Sequence, residues 1–319
     1  MTKKLSPPLP TVLTISGSDC SAGAGLQADL KTIHALGGYA LTVPTAITAQ
    51  NSLGVSTVYP LPAHIVRAQL QTLMADYDIQ AIKIGMLGSL EVLETVIQSL
   101  KNYQNNPTIK NSTPESPLLS KLNSPCPPPI VLDPVLISSS GKPLLEPTAL
   151  PVFINKLLPL TTLITPNIPE VNALLKRTEH TEFKGEEKEI PDMAQALLKL
   201  NLNAAVIKGG HTIDPQATDY LIQHTPSRTD QNQAKEIDIQ TYSTERVHTQ
   251  NTHGTGCTYA SAIATELAKG HPLNQAIQHA KDYLFSTLIH ADNAQPSYQS
   301  TPKPPQIRKG GLNHFKSNE

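Results

Sequence analysis

Thr11-Val-Leu-Thr-Ile-Ser-Gly-Ser-Asp19, continued by Cys20-Ser-Ala-Gly-Ala-Gly-Leu-Gln-Ala-Asp-Leu-Lys-Thr-Ile-His-Ala-Leu-Gly-Gly38, is the stretch that decides the fold. Val12 to Ile15 is a compact run suited to a buried strand, and it ends in the turn-forming Ser16-Gly17-Ser18-Asp19. Leu26, Leu30, Ile33 and Leu36 then recur at spacings of four, three and three, which predicts one apolar face of a helix stopped at Gly37-Gly38. The same alternation continues outward. Strand-like runs fall at Leu41–Ala49, Ala81–Ile84, Ile130–Leu132, Leu163–Thr165 and Ala204–Ile207. Helical periodicity falls at Ile65–Met74, Leu90–Leu100 and, after Gly256, at Tyr259, Ile263 and Leu267 up to Gly270. Strands alternating with helices build a mostly parallel central sheet with helices on both faces, so the class is α/β.

Asn102 to Pro129 breaks the pattern. It is rich in Pro, Ser and Asn and closes on Cys126-Pro127-Pro128-Pro129, a composition that buries too little apolar area to order itself. It reads as an insert between a helix and the next strand. Glu179–Pro191 and Thr225–Glu236 read as polar loops, and 293–319 as a loose tail. Strands resume after each insertion, so one domain over 11–292 is expected. The whole chain has 319 residues, with 39% hydrophobic residues, 16% charged residues and 28 prolines around an ordinary core.

Composition also limits function. A net charge of −1 and the absence of Trp argue against nucleic acid or an anionic membrane as main partner. No uncharged apolar run approaches the ~18 residues of a membrane span. The three cysteines, Cys20, Cys126 and Cys257, are far apart with no CxxC, so neither a zinc knuckle nor a disulfide framework is expected. That usage fits a reducing, cytoplasmic setting.

Ligands of open parallel sheets bind beyond the carboxyl ends of the strands. Asp19, Gln50, Gly85, Asp133, Asn167 and Lys208 each stand just past a strand-like run. Taken singly, each is as readily a turn residue or a helix N-cap. Asn251-Thr-His-Gly-Thr-Gly-Cys257 opens a helix, and its two glycines would let bare N–H groups reach an anion. An ordinary glycine loop is the alternative. Cys257 in the first turn of that helix is expected to have a depressed thiol pKa and to act as base or nucleophile; otherwise it is a small packed thiol. Asp133 and Glu170 together could hold Mg²⁺, and Lys208 could neutralise a phosphate. No Gly-x-x-x-x-Gly-Lys-Ser/Thr is present, and no Gly-x-Gly-x-x-Gly follows a strand.

Seven segments resemble the hydroxymethylpyrimidine/phosphomethylpyrimidine kinases of thiamine biosynthesis, a ribokinase-like family. In chain order they are Ser16–Thr32, Thr45-Ala-Ile-Thr-Ala-Gln-Asn51, Lys83-Ile-Gly-Met-Leu87, Val131-Leu-Asp-Pro-Val135, Thr165-Pro-Asn-Ile-Pro-Glu170, Lys208-Gly-Gly-His211 and Thr252-His-Gly-Thr-Gly-Cys257. Gly311-Leu-Asn-His-Phe315 resembles the family's closing segment. The resemblance implies a ribokinase-like fold, ATP and Mg²⁺. It implies phosphorylation of 4-amino-5-hydroxymethyl-2-methylpyrimidine and then of the monophosphate. By the same resemblance Gln50 binds the pyrimidine with Asp19, Gly17 and Met86 nearby. Asn167, Glu170 and Lys208 face nucleotide and metal, and Gly254, Thr255 and Gly256 form an anion hole. Cys257 stands where related sugar kinases carry an Asp base, and a homodimer is expected by analogy. Cys20 and Ala22 depart from the Ser and Gly usual in the first loop. Two other readings are a pyridoxal or pyridoxine kinase, whose substrate also carries a hydroxymethyl group, and a non-catalytic pyrimidine sensor.

Overall fold

The computed structural model describes residues 8–105, 127–137, 143–178, 180–210, 215–225, 236–296 and 309–314. Nine strands among the described residues form a single sheet. They are β1 (Thr11–Asp19), β2 (Tyr39–Asn51), β3 (Gly54–Pro60), β4 (Ala81–Ile84), β5 (Ile130–Leu132), β6 (Leu163–Ile164), β7 (Ala204–Ile207), β8 (Gln216–His224) and β9 (Ile237–Glu245). The spatial order is β3-β2-β1-β4-β5-β6-β7-β8-β9. From β2 through β7 every neighbour is parallel, while β3 on one edge and β8 and β9 on the other pair antiparallel.

The longer helices are α1 (Gly25–Ala35), α2 (Ala63–Asp76), α3 (Leu90–Gln104), α4 (Ile168–Leu174), α5 (Ile190–Leu198), α6 (Thr255–Ala268) and α7 (Leu273–Ile289). Strand side chains alternate between faces, and the central strands sort into two separate cores on that period. Leu13, Ile15, Ile82, Ile84, Ile130, Leu132, Ile164, Ala205 and Ile207 join one core, which is completed by residues of α2, α3 and α5. Val12, Ala81, Val131, Leu163, Ala204 and Val206 join the other, completed by Ile33 of α1 and by α6 and α7. Both faces are therefore covered, which is why these strands read as continuous apolar runs.

Several details differ from expectation. The inward stripe of α1 is Leu26, Ala28, Asp29, Thr32 and Ile33, whereas Leu30 is 39% exposed. A buried carboxylate thus occupies the face expected to be purely apolar. It has partners: Asp29 accepts from Thr14 Oγ1, Lys83 Nζ and Ser261 Oγ at 2.6–2.9 Å. Asn102 to Gln104 belong to α3, and 106–126 of the expected insert, with Cys126, lie outside the described residues. Pro191 sits in the first turn of α5 rather than in a loop. Thr225 and Glu236 close the β8–β9 hairpin by a 2.8 Å backbone bond, and 226–235 lie outside the described residues. The segment expected as a loose tail is not loose throughout. Leu312, Asn313 and His314 are buried, because His314 Nδ1 pairs with Tyr283 Oη at 3.0 Å and Asn313 Nδ2 reaches His290 O.

Candidate active site

The carboxyl ends of β1, β2 and β4 through β7 open onto one cavity of about 640 Å³. Gly17, Asp19, Gln50, Met86, Asp133, Asn167, Glu170, Lys208 and the Gly254–Cys257 turn all line it. Parallel strands end on the same edge, so residues scattered over more than two hundred positions converge.

At one end, Gly17 leaves room for Met86, whose Sδ would lie 3.0 Å from a Cβ built there. Asp19 is 3% exposed and works as an organiser of its own loop. Its carboxylate accepts from Ser21 N and Oγ and from Gly23 N and Ala24 N at 2.7–3.2 Å, and contacts His253 Nε2 at 2.9 Å. Burial opposes its charge, but the hydrogen bonds from His253, Ser21 and Ala24 win and hold it at about 2. Little acceptor capacity remains for a ligand. Gln50 Nε2 lies 3.0 Å from the same His253 Nε2, and the Gln50 backbone is tied to Cys20 Sγ. His253 therefore joins the β2 end to the glycine turn. Its role was not singled out from sequence, where it had no partner spacing; the pairing spans 234 positions.

At the other end, Lys208 Nζ lies 2.9 Å from Asp133 Oδ1 and 3.7 Å from Glu170 Oε2. Burial works against the lysine's charge, but the two carboxylates more than offset it and raise its pKa. The Glu170 pKa also rises, which here disfavours the charged form: burial and the nearby Asp133 lift it to about 7, despite Lys208 and the Asn167 N–H. Asn167 and Glu170 also form a reciprocal capping box at the start of α4, each side chain accepting from the other's backbone N–H at 2.8 Å. Both readings of these residues thus hold at once, as helix cap and as cavity wall. Two carboxyl groups around one ammonium leave oxygens free, a donor set that suits a hard divalent cation.

Between the two ends runs the N-terminus of α6. Gly254 has φ +86°, and a Cβ there would overlap the Gly23 carbonyl, so the two glycine loops interlock. Gly256 faces Asp133 and Lys208, both 3.3 Å from where its Cβ would be. First-turn N–H groups of a helix have no carbonyl partner within it, so this turn presents donors and a positive dipole end to the cavity. One expectation fails here. Burial pushes the Cys257 thiol up to about 12, and Asp29 and Asp133 add to that push against Lys83 and a hydrogen bond from Gly25. The helix terminus is outweighed by desolvation and two nearby carboxylates. Lys83 and Asp29 were not assigned a role from sequence. The available signal was a lysine inside an otherwise apolar strand run, which demands a buried counter-charge.

An open α/β sheet, a helix N-terminus aimed into a cleft and a lysine beside paired carboxylates define a phosphotransferase site of the ribokinase-like kind. The chain belongs to the phosphomethylpyrimidine kinase family, whose model matches residues 19–113 and 116–302. It is 38% identical over 283 residues to the hydroxymethylpyrimidine/phosphomethylpyrimidine kinase of Escherichia coli K12, covering 89% of this chain and 92% of that protein. Among solved structures it resembles the phosphomethylpyrimidine kinase of Clostridium difficile 630, with TM-score 0.64, 33% identity and coverage of 86% and 98% of the two chains. It also resembles the Bacillus subtilis pyridoxal kinase in its ADP complex, with TM-score 0.71, 28% identity and coverage of 96% and 98%.

Proposed function

We propose that this chain transfers the γ-phosphoryl group of ATP to the hydroxymethyl group of 4-amino-5-hydroxymethyl-2-methylpyrimidine, and then phosphorylates that monophosphate to the diphosphate for thiamine synthesis. The observation that carries the reading is the continuity of one cavity from Gln50 and Met86, past the Gly254–Cys257 turn, to Asp133, Glu170 and Lys208. A heterocycle and a nucleotide phosphate chain can meet there end to end.

Gln50 supplies an amide that both donates and accepts, which suits an aminopyrimidine edge. Met86 and Gly17 give the ring an apolar wall, and Asp19 holds His253 beside Gln50. The N–H groups of the Gly254–Cys257 turn receive the transferring phosphoryl oxygens, with Lys208 adding charge. Asn167 and Glu170 face the nucleotide, and Asp133 and Glu170 would hold Mg²⁺, which when bound would neutralise phosphate charge. Cys257 takes the alcohol proton in the first step. In the second step the acceptor is already an anion and needs no base. By analogy the enzyme is a homodimer, and its cysteine usage fits a cytoplasmic setting; among the described residues no helix is long and apolar enough to cross a membrane.

Pyridoxal kinase activity is the second reading, favoured by the TM-score of 0.71 to the Bacillus subtilis enzyme. Turnover with Mg-ATP on the pyrimidine alcohol, its monophosphate and pyridoxal, each product identified, separates the two. The expected result is kcat/KM for the pyrimidine alcohol at least ~10²-fold above pyridoxal, a gap within reach of lost buried hydrogen bonds. Preference for pyridoxal, or no turnover on either pyrimidine, overturns the proposal.

A further inference from the structure

The far end of α6 carries a second cluster of chemistry. Glu266, His271 and His279 each present one ligand atom, and these atoms all lie within 4.8 Å of one another. His271 Nδ1 is 2.7 Å and His279 Nδ1 3.0 Å from the same oxygen, Glu266 Oε2. The imidazoles meet edge to face with centroids 4.9 Å apart. Glu266 is 4% exposed, while the side chains of His271 and His279 are 37% and 47% exposed. An anionic floor therefore lies beneath two rings that solvent can reach. Eleven residues of helix separate Glu266 from Thr255, about 16 Å at the α-helical rise, so the cluster is remote from the cavity.

We propose that Glu266, His271 and His279 form a binding site for a borderline transition-metal cation, with Zn²⁺ as its probe, that staples the end of α6 to α7. Imidazole nitrogen and carboxylate oxygen in a two-to-one ratio, with a position left open to water, is a donor set that Zn²⁺ takes and that Mg²⁺ does not favour. The site is built by the backbone. Gly270, at φ +87°, ends α6, with Gly270 N bonded to Leu267 O and His271 N to Glu266 O. That paired closure aims His271 back over the last turn. His279 comes from the second turn of α7, so the third ligand belongs to a different helix. The cation would also sit at the negative end of the α6 dipole. Lys269 Nζ is held on the other oxygen, Glu266 Oε1, at 2.6 Å and leaves Oε2 to the two histidines. Binding needs each Nδ1 to present its lone pair, which the Nε2–H tautomer of an imidazole does.

The test is calorimetric titration of Zn²⁺ into the full chain with Mg²⁺ already saturating, which fills the hard oxygen sites. One Zn²⁺ per chain is expected, with a rise in melting temperature and, for Co²⁺, the visible absorption of a tetrahedral site. His279→Ala changes a half-exposed position and His271→Ala a loop position, so both should fold, as circular dichroism would check. Each should weaken binding at least ~10-fold, the loss seen even for outer-shell partners, and abolish the thermal shift. Cys20→Ser and Cys257→Ser should leave the affinity unchanged. No saturable Zn²⁺ site in the parent overturns the proposal, as does equal affinity in the two histidine variants. The cluster would then be only a hydrogen-bonded helix end.

Discussion

As the proposed base, Cys257 would take the alcohol proton with a thiol that burial pushes up to about 12. Only the thiolate accepts, and its fraction rises tenfold per pH unit below that value. The first phosphorylation should therefore climb with pH between 6 and 9, with the second nearly flat. Cys257→Ala should slow the first step by ~10²–10⁴, the usual worth of a positioned base, and the second much less. Measuring the two steps separately over that range checks both statements. Equal losses would make Cys257 a wall of the anion hole. Glu170 offers a second check through stability. Its ordinary pKa is 4.5 and its folded value about 7, so the folded chain holds the proton more tightly. That contribution is complete below 4.5 and is lost as pH rises through about 7. Glu170→Gln keeps the capping box and removes the charge. Without ligands it should melt higher than the parent at pH 8, by about 1–3 kcal/mol, and no higher near pH 4.5. A constant difference at both pH values would exclude the burial of that charge as the cause.

The interlocked glycine loops between β1 and α1 and before α6 set the scale of the next prediction. A Cβ at Gly254 meets the Gly23 backbone carbonyl in a residue that already has φ +86°. Neither the strain nor the clash can be relieved without parting the loops. Gly254→Ala should cost at least ~1–2 kcal/mol from the left-handed backbone alone and remove most turnover. At Gly23 a Cβ meets the ring of His253, a side chain that can swing away. Gly23→Ala should therefore fold nearly as well as the parent, yet lose pyrimidine affinity because His253 leaves Gln50. Thermal melts beside substrate titrations separate these outcomes. The elements legible in sequence were those whose physics is local. β4, β5 and β7 were readable to the residue because they are buried on both faces, and α6 because a glycine turn precedes it. β3, β8 and β9 were missed: their half-exposed faces carry Thr, Gln and Ser, and pairing at a sheet edge leaves little apolar signal. The candidate site was legible as residues at strand ends. Its wiring was not, since Asp19 with His253 and Lys83 with Asp29 are long-range polar pairings set by topology.

Across the whole molecule, the segment Lys309–His314 returns after the last helix and fastens the site from outside. Lys309 N donates to Ser52 O in the β2–β3 turn, at 3.0 Å. Gly310 N donates to Asn251 Oδ1, and Gly310 O accepts from His253 N, at 3.1 and 3.0 Å. The strap thus ties the Gln50 end of the cavity to the turn that opens α6. It is anchored by Leu312, 8% exposed, and by His314 against Tyr283. Burial, with the charge of Lys31 adding to it, lowers His314 from 6.5 to about 4. The unfolded chain takes up that proton first, so the stability this ring contributes is present above 6.5 and is lost as pH falls toward about 4. Ending the chain after residue 308 should lower stability by about 2–4 kcal/mol at pH 7.5, from Leu312 burial with its polar anchors. The deficit should shrink as pH falls from 6.5 to 5. Pyrimidine KM should rise more than kcat falls, because the loss is at the Gln50 end and leaves Asp133, Glu170 and Lys208 in place. Leu312→Ala divides the two effects: it should cost about 2–3 kcal/mol with a smaller rise in KM. A truncated chain with unchanged KM would show that the strap only covers the surface.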